Sequence, residues 1–297
     1  MASSRILVVG ATGLLGGAIA RQLIASGAQV RALGRNAAKL AALAELGAET
    51  VAVDLMDMAK VNEACRDVDQ IVATANNAMG GGATSPGKID LTAYQNLCAA
   101  ARNARVRRLL YVSFRGVTSG ETVDFFRIKW YIEDAIRRSG VPYVILRPSA
   151  FMETWINQVL APRIRARGGA LIFGDGSAVT NYIAVDDVAT FAVRILQQPA
   201  IVGEAIDVGG PSDISLRDLA TLVEKRLGAP GKRRHIPVLA MQLLPPLIRP
   251  FNEPVARMMS FGHYAATQAR PFPKWRESAQ RFGVEPRTVQ AYVEAMK

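Results

Sequence analysis

Lys129 sits in the middle of "VDFFRIKWY", a stretch whose apolar residues recur at helical spacing. At about 100° per residue, Phe125, Ile132 and Ile136 stack along one line, with Ile128 and Ala135 to one side. Lys129 falls about 40° from Phe125, inside that stripe and away from the charged face of Arg127, Asp134 and Arg138. A lysine among apolar neighbours either snorkels to water or is held for a purpose. Protonated, it can donate to a ligand hydroxyl; desolvated, its lowered pKa lets it act as general acid or base near neutrality. The residue pattern leaves these readings open.

"VVGATGLLGGAIA" carries glycines at 10, 13 and 16, between a strand-like run and a helix-like one. That context is what a dinucleotide-binding loop requires. Gly10 permits the tight turn, Gly13 lets backbone approach a pyrophosphate, and Gly16 lets the helix lie close to the strand. The helix amino end attracts phosphate charge, and Thr12 and Leu14 belong to the same turn.

The second strand speaks to which dinucleotide. An NAD site places Asp or Glu about 20 residues beyond the loop, on the ribose 2′-hydroxyl. Here "VRALGRN" has Gly34 and Arg35 there, and Arg35 offers a planar fork for a 2′-phosphate. Arg31 assists only if its strand turns it outward. The expected cofactor is NADP(H). An ordinary exposed loop arginine would explain Arg35 but not the missing acid. Asp54, followed by Leu55 at the end of the third strand, suits either an adenine amino group or a helix N-cap. Thr74 and Ala75 end the fourth strand, where backbone lines the ribose.

These residues need a frame to hold them. Short β-branched runs ("RILVVG", "QVRAL", "ETVAVD", "DQIVATA", "RRLLYVS", "PYVILRP") alternate with helical stretches over 14–26, 37–46, 58–66, 88–103 and 123–139. Near-continuous apolar strands alternating with helices mean a parallel sheet covered on both faces, hence an α/β doubly wound Rossmann fold. Residues 1–150 are expected to form this core. Residues 151–297 would supply the remaining strands and a smaller, basic, mainly helical lobe on the substrate side, integrated with the core. In that part, "ALIFGDGSAVTNYIAV" reads as two short strands around an Asp-Gly turn. A helix over 186–197, a strand in "GEAIDVGG" and a helix capped by Ser215 and stopped by Gly228 follow.

The chain resembles the short-chain dehydrogenase/reductase superfamily, in its atypical NmrA-like, isoflavone-reductase-like branch. "GATGLLGG", "YVSFRG", "IEDAIRRSGVPYVILRPSAFME", "YIAVDDVA" and "FGVEPRTVQAYV" carry the resemblance, and together they span nearly the whole chain. The superfamily's usual catalytic set is Ser, Tyr and Lys. The resemblance implies that Ser113 matches the serine and Lys129 the lysine, while Phe125 stands where the tyrosine would be. That departure puts the ordinary carbonyl-reductase mechanism in doubt, although isoflavone-reductase-like members manage with the lysine. It also makes "LRPSAFMETW" cross the nicotinamide end. Pro148 would turn the chain there, Ser149 and Ala150 would present backbone, and Phe151 would wall the ring or simply fill core. Met152, Trp155 and Phe114 would make a nearby apolar pocket, suited to a small flat or aromatic substrate. His235 and His263 are not expected to be catalytic.

The 297 residues are 50% hydrophobic and 21% charged, as in a globular chain. Cys65 and Cys98 are far apart, with no C-x-x-C, which argues against a disulfide framework or metal site and for a reducing compartment. No targeting segment is visible, and "IPVLAMQLLPPLI" is short of a membrane span, so the protein is expected to be cytoplasmic. Of the net charge of +11, +7 lies in residues 232–297, which hold 11 Lys+Arg against 4 Asp+Glu. Such an end suits a solvated face, an acidic protein or a membrane surface; nucleic acid is the least expected partner. Two functions emerge. One is an NADPH-dependent reductase passing hydride to an apolar carbonyl, quinone or conjugated double bond. The other is a non-catalytic NADP(H)-binding redox sensor or assembly factor. Substrate identity and oligomeric state are not legible.

Overall fold

The structure is a computed structural model that describes residues 4–77, 86–229 and 231–296. Its chain forms two compact units. The first contains residues 1–122, 126–147 and 188–206; the second contains 123–125, 148–187 and 207–297. The chain returns to the first unit because a late strand completes its sheet.

That sheet has seven strands: β1 (Arg5–Val9), β2 (Gln29–Gly34), β3 (Glu49–Ala52), β4 (Gln70–Ala73), β5 (Arg108–Val112), β6 (Tyr143–Pro148) and β10 (Glu204–Val208). Their order is β10-β6-β5-β4-β1-β2-β3. The pairs from β6 through β3 are parallel. All residues of β5, and all but the first of β1 and β4, are buried, as expected where helices cover both faces. Edge strand β3 is mostly exposed. The intervening helices are α1 (Leu14–Ala25), α2 (Ala37–Ala44), α3 (Met58–Ala64), α4 (Pro86–Asn103) and α5 (Asp124–Arg138), each within two residues of its expected bounds. Order reverses at β1, between β4 and β2, and that switch point is where open α/β sheets bind ligands.

Arg108 ties the late segment to this sheet. Its buried guanidinium donates to the carbonyls of Ile195 (3.1 Å), Leu196 (2.8 Å), Gln198 (2.7 Å) and Ile201 (3.0 Å), at and beyond the end of helix α7 (Val185–Leu196). One cation thus gathers the carbonyls of this turn, of which Ile195 and Gln198 also accept from the N–H groups of Gln198 (3.0 Å) and Ile201 (3.1 Å). Arg108→Met would take the charged donor from all four and leave the Ile201 carbonyl without this partner, at a cost of about 1–3 kcal/mol, read as a fall in denaturation midpoint.

In the second unit, β7 (Ala150–Phe151) runs parallel to β9 (Val179–Ile183), which pairs antiparallel with β11 (Ser212–Ser215). β8 (Leu171–Phe173) pairs in parallel with β12 (Arg234–Ile236). The two strands read around Asp175 exist, yet they join different sheets rather than each other. Asp175 explains the break: its carboxylate accepts from the N–H of Ser177 (2.9 Å) and closes a turn on itself. Residues 153–167, to which no element is assigned from sequence, form a π-helical stretch (Glu153–Leu160) leading into α6 (Ala161–Arg167). Wider winding removes the 3.6-residue periodicity by which a helix is recognised.

Helix α8 (Leu216–Leu227) begins as its sequence requires. Ser215 Oγ accepts from the N–H of Asp218 (3.1 Å) and donates to its carboxylate (2.6 Å). The tail is helical in short pieces: α9 (Val238–Leu243), α10 (Pro245–Ile248), α11 (Glu253–Thr267), α12 (Trp275–Phe282) and α13 (Val289–Glu294). Among the described residues, no helix is long and apolar enough to cross a membrane.

Candidate functional site

The glycine turn forms a cradle at the switch point. The N–H groups of Gly10 and Ala11 both donate to the carbonyl of Leu33 (3.0 Å each), and that of Gly13 to Gly10 (2.9 Å). Gly10 has φ +84°, which few other residues tolerate. A Cβ on Gly16 would lie 2.2 Å from the carbonyl oxygen of Gly10 and 2.7 Å from Thr74 Oγ1. No carboxylate lies in the first turn of α1 and no side chain caps it, so its amino end points bare N–H groups at the turn. Gly16→Ala should push helix and turn apart, costing about 1–3 kcal/mol. A lower melting temperature together with lost nucleotide binding would be its signature.

Gly34 is closely covered, because a Cβ there would meet Thr12 Cγ2 at 2.7 Å and Thr12 would have to move. Glycine, not a ribose-binding acid, occupies position 34, and the exposed Arg35 stands next to it. Among the described residues no ion-pair partner of Arg35 is found. Arg31 is turned inward instead. Its guanidinium pairs with Glu49 (2.8 Å) and donates to the carbonyls of Ala64 and Arg66 (2.8 Å each), leaving it no role at the nucleotide.

Asp54 is not a helix N-cap. Asp57 caps α3, accepting from Lys60 N–H (3.2 Å), whereas Asp54 accepts from the N–H of Met56 (2.9 Å) and faces the cavity. A cavity of about 360 Å³ gathers Gly10, Thr12, Gly13, Arg35, Asp54, Leu55, Thr74 and Ala75. Leu14 stands exposed at the start of α1. The sequence reading missed the far wall, made by Asn77, Asp90 and Tyr94. Asp90 accepts from Asn77 N–H (3.0 Å), and Tyr94 donates to the carbonyl of Ala75 (2.7 Å). Asp90 and Tyr94 sit on α4 and Asn77 follows β4, and no spacing rule marks them.

Lys129 is buried, at 8% exposure. Its ammonium donates to Tyr111 Oη and to the carbonyl of Val112, both at 3.3 Å. Burial pulls its pKa from 10.5 down to about 8, against the opposing charges of Asp90 and Glu133. Glu133, fully buried one turn later, is held by Arg137 (2.7 Å) and Arg147 (2.9 Å), so its charge is balanced in place. Ser113, next after Val112, is 4% exposed, and its hydroxyl has no hydrogen-bond partner among the described residues. A buried hydroxyl without a partner is costly unless a ligand completes it. Tyr111, missed from sequence, reads there only as an apolar strand residue.

Other expected residues lie in the second unit. Pro148 and Ser149 are buried. Ser149 donates its N–H to Val208 (2.9 Å) and its hydroxyl to Asn181 (2.7 Å), so of its backbone the N–H is already committed. Phe151 is half-buried in β7, paired with Ile183. Met152 and Trp155 belong to an apolar core cluster, with Trp155 edge-on to Phe173 and Tyr182. Phe125 packs edge-on against Phe261, and Phe114, in the first unit, lies tilted against Phe126. His235 Nδ1 lies 2.8 Å from the carbonyl of Gly174. Both cysteines are buried and free, and burial pushes their thiols up to about 12 for Cys65 and about 11 for Cys98.

Residues 10–199 match a protein family described as NAD(P)H-binding. The chain is 30% identical over 298 residues to a (4-alkanoyl-5-oxo-2,5-dihydrofuran-3-yl)methyl phosphate reductase of Streptomyces griseus, covering 94% of this chain and all of the relative. It is 24% identical to the photosystem II assembly factor Ycf39 of Synechocystis, over 98% of this chain and 90% of that one. In fold it is similar to the NADPH-dependent quinone oxidoreductase QOR2 of Escherichia coli, with TM-score 0.79 and 22% identity over 97% and 98% of the two chains.

Proposed function

The chain belongs to the NAD(P)H-binding family, and from that premise we propose that it is an NADP(H)-dependent reductase of the atypical, NmrA-like short-chain dehydrogenase/reductase kind. Its acceptor would be an apolar carbonyl, quinone or conjugated double bond. The observation that carries this reading is a buried Lys129 bonded to the carbonyl of Val112, the residue before a Ser113 whose hydroxyl has no partner among the described residues. Core packing alone has no use for either.

Gly10, Thr12, Gly13, Leu14 and Gly16 would hold the pyrophosphate, and Arg35 the 2′-phosphate. Asp54 and Leu55 would hold the adenine, and Thr74 and Ala75 the ribose. The bound dinucleotide supplies the hydride. Lys129 holds a proton at Nζ and donates it to a ribose hydroxyl or to the oxygen that gains charge on the acceptor. Ser113 offers a second donor. Pro148, Ser149 and Phe151 are assigned to the nicotinamide end on resemblance. The reductase named from Streptomyces griseus acts on a 5-oxo-2,5-dihydrofuran, which puts conjugated lactones first in a test panel beside quinones. Purified protein should oxidise NADPH in the presence of at least one such acceptor. Absence of turnover across the panel, with nucleotide binding intact, would refute the reading.

One observation favours a second reading, an NADP(H)-binding sensor or assembly factor. Phe125, with no proton to give, stands one turn before Lys129, and Ycf39 proteins are among the relatives. In that case the basic tail would contact an acidic protein or membrane. Either activity belongs in the cytoplasm, where two free thiols persist.

A further inference from the structure

Six of the twelve large apolar side chains that stand exposed among the described residues lie between Leu239 and Met258. Phe251 is 91% exposed, Leu247 67%, Leu239 64% and Leu243 58%. They are carried by α9, α10 and the turn into α11, three helices packed on one another. Isolated exposed leucines mean little, but a concentrated group marks a contact surface.

Charge narrows the occupant. From Gly231 to Asn252 the chain holds Lys232, Arg233, Arg234 and Arg249 and no carboxylate. Arg233 is held by Glu224 (2.6 Å). Lys232 and Arg234 are exposed, and Arg249, although paired with Asp124, stays 45% exposed. A second copy of the chain would set these cations against themselves. Shape narrows it further, since a phenylalanine with nine-tenths of its surface in water projects rather than lining a groove. Such a knob fits a medium that yields around it.

We propose that this surface seats on an anionic lipid bilayer. Leu239, Leu243, Leu247 and Phe251 would enter the acyl boundary, while Lys232, Arg234 and Arg249 remain at the headgroup phosphates. The inference is independent of catalysis and goes beyond the reductase reading.

The test is sedimentation of the full chain with vesicles of phosphatidylcholine alone or mixed with phosphatidylglycerol. Binding is expected to the mixed vesicles only, and to weaken with salt. A Phe251→Ser, Leu247→Ser double variant should lose about a hundredfold in partition, about tenfold for each side chain. Its melting temperature should be unchanged, because both side chains are largely in water already. Lys232→Glu with Arg234→Glu should weaken binding through charge alone. No sedimentation with mixed vesicles, equal sedimentation of the double variant, or a solution dimer that this variant splits would each overturn the proposal.

Discussion

Lys129→Met is expected to abolish NADPH oxidation while making the protein more stable. Removing a positioned proton donor costs on the order of 10²–10⁴ in rate. The stability gain follows from burial, which has lowered the pKa from 10.5 to about 8. Between those values the unfolded chain binds the proton that the folded chain has released, so stability rises with pH across that window. Below pH 8 the folded protein carries the full penalty of a buried ammonium, at most about 3 kcal/mol. Methionine, of similar length, removes it. A melting temperature several degrees higher near pH 7, with the gain shrinking as pH approaches 10, would be the signature. In the parent protein, turnover that uses the ammonium as donor should fall as pH rises through about 8. Full activity in the methionine variant would take Lys129 out of the chemistry, and a lowered melting temperature would show that its hydrogen bonds outweigh its desolvation.

Arg35→Ala should weaken NADPH binding about ten- to hundredfold, the range for losing a charge-assisted hydrogen-bonded contact, and leave NADH binding unchanged. The selectivity is the informative part. Arg35 is exposed at the end of β2 and has no ion-pair partner among the described residues, so its removal should not disturb the fold. Titration of both nucleotides by calorimetry measures it. Equal losses for the two would mean that Arg35 holds a group common to both, and no loss would move the 2′-phosphate elsewhere.

Where sequence and structure differ, the reason is one of direction. Arg31 and Arg35 are equally basic in the sequence; strand pleating turns Arg31 onto Glu49 and the carbonyls of Ala64 and Arg66. Asp54 and Asp57 are both plausible caps three residues apart, and α3 takes the second. Trp155 looks like a pocket aromatic by composition and lies in the core. Ser149 looked free to present backbone, yet its N–H is spent on Val208.

The sequence by itself determined the Rossmann sheet, its crossover helices and the glycine turn. All of these follow from local rules of apolar runs, helix periods and glycine spacing. It also placed Lys129 on an apolar face. Only the tertiary structure decided what surrounds that lysine: Tyr111 and the Val112 carbonyl from a strand, and the charges of Asp90 and Glu133 from two helices. The same holds for the return of residues 188–206 to the first unit and for the π-wound stretch after Met152. Contacts between residues distant in the chain depend on which side chains share a face once the sheet has closed, and a linear pattern carries no record of that.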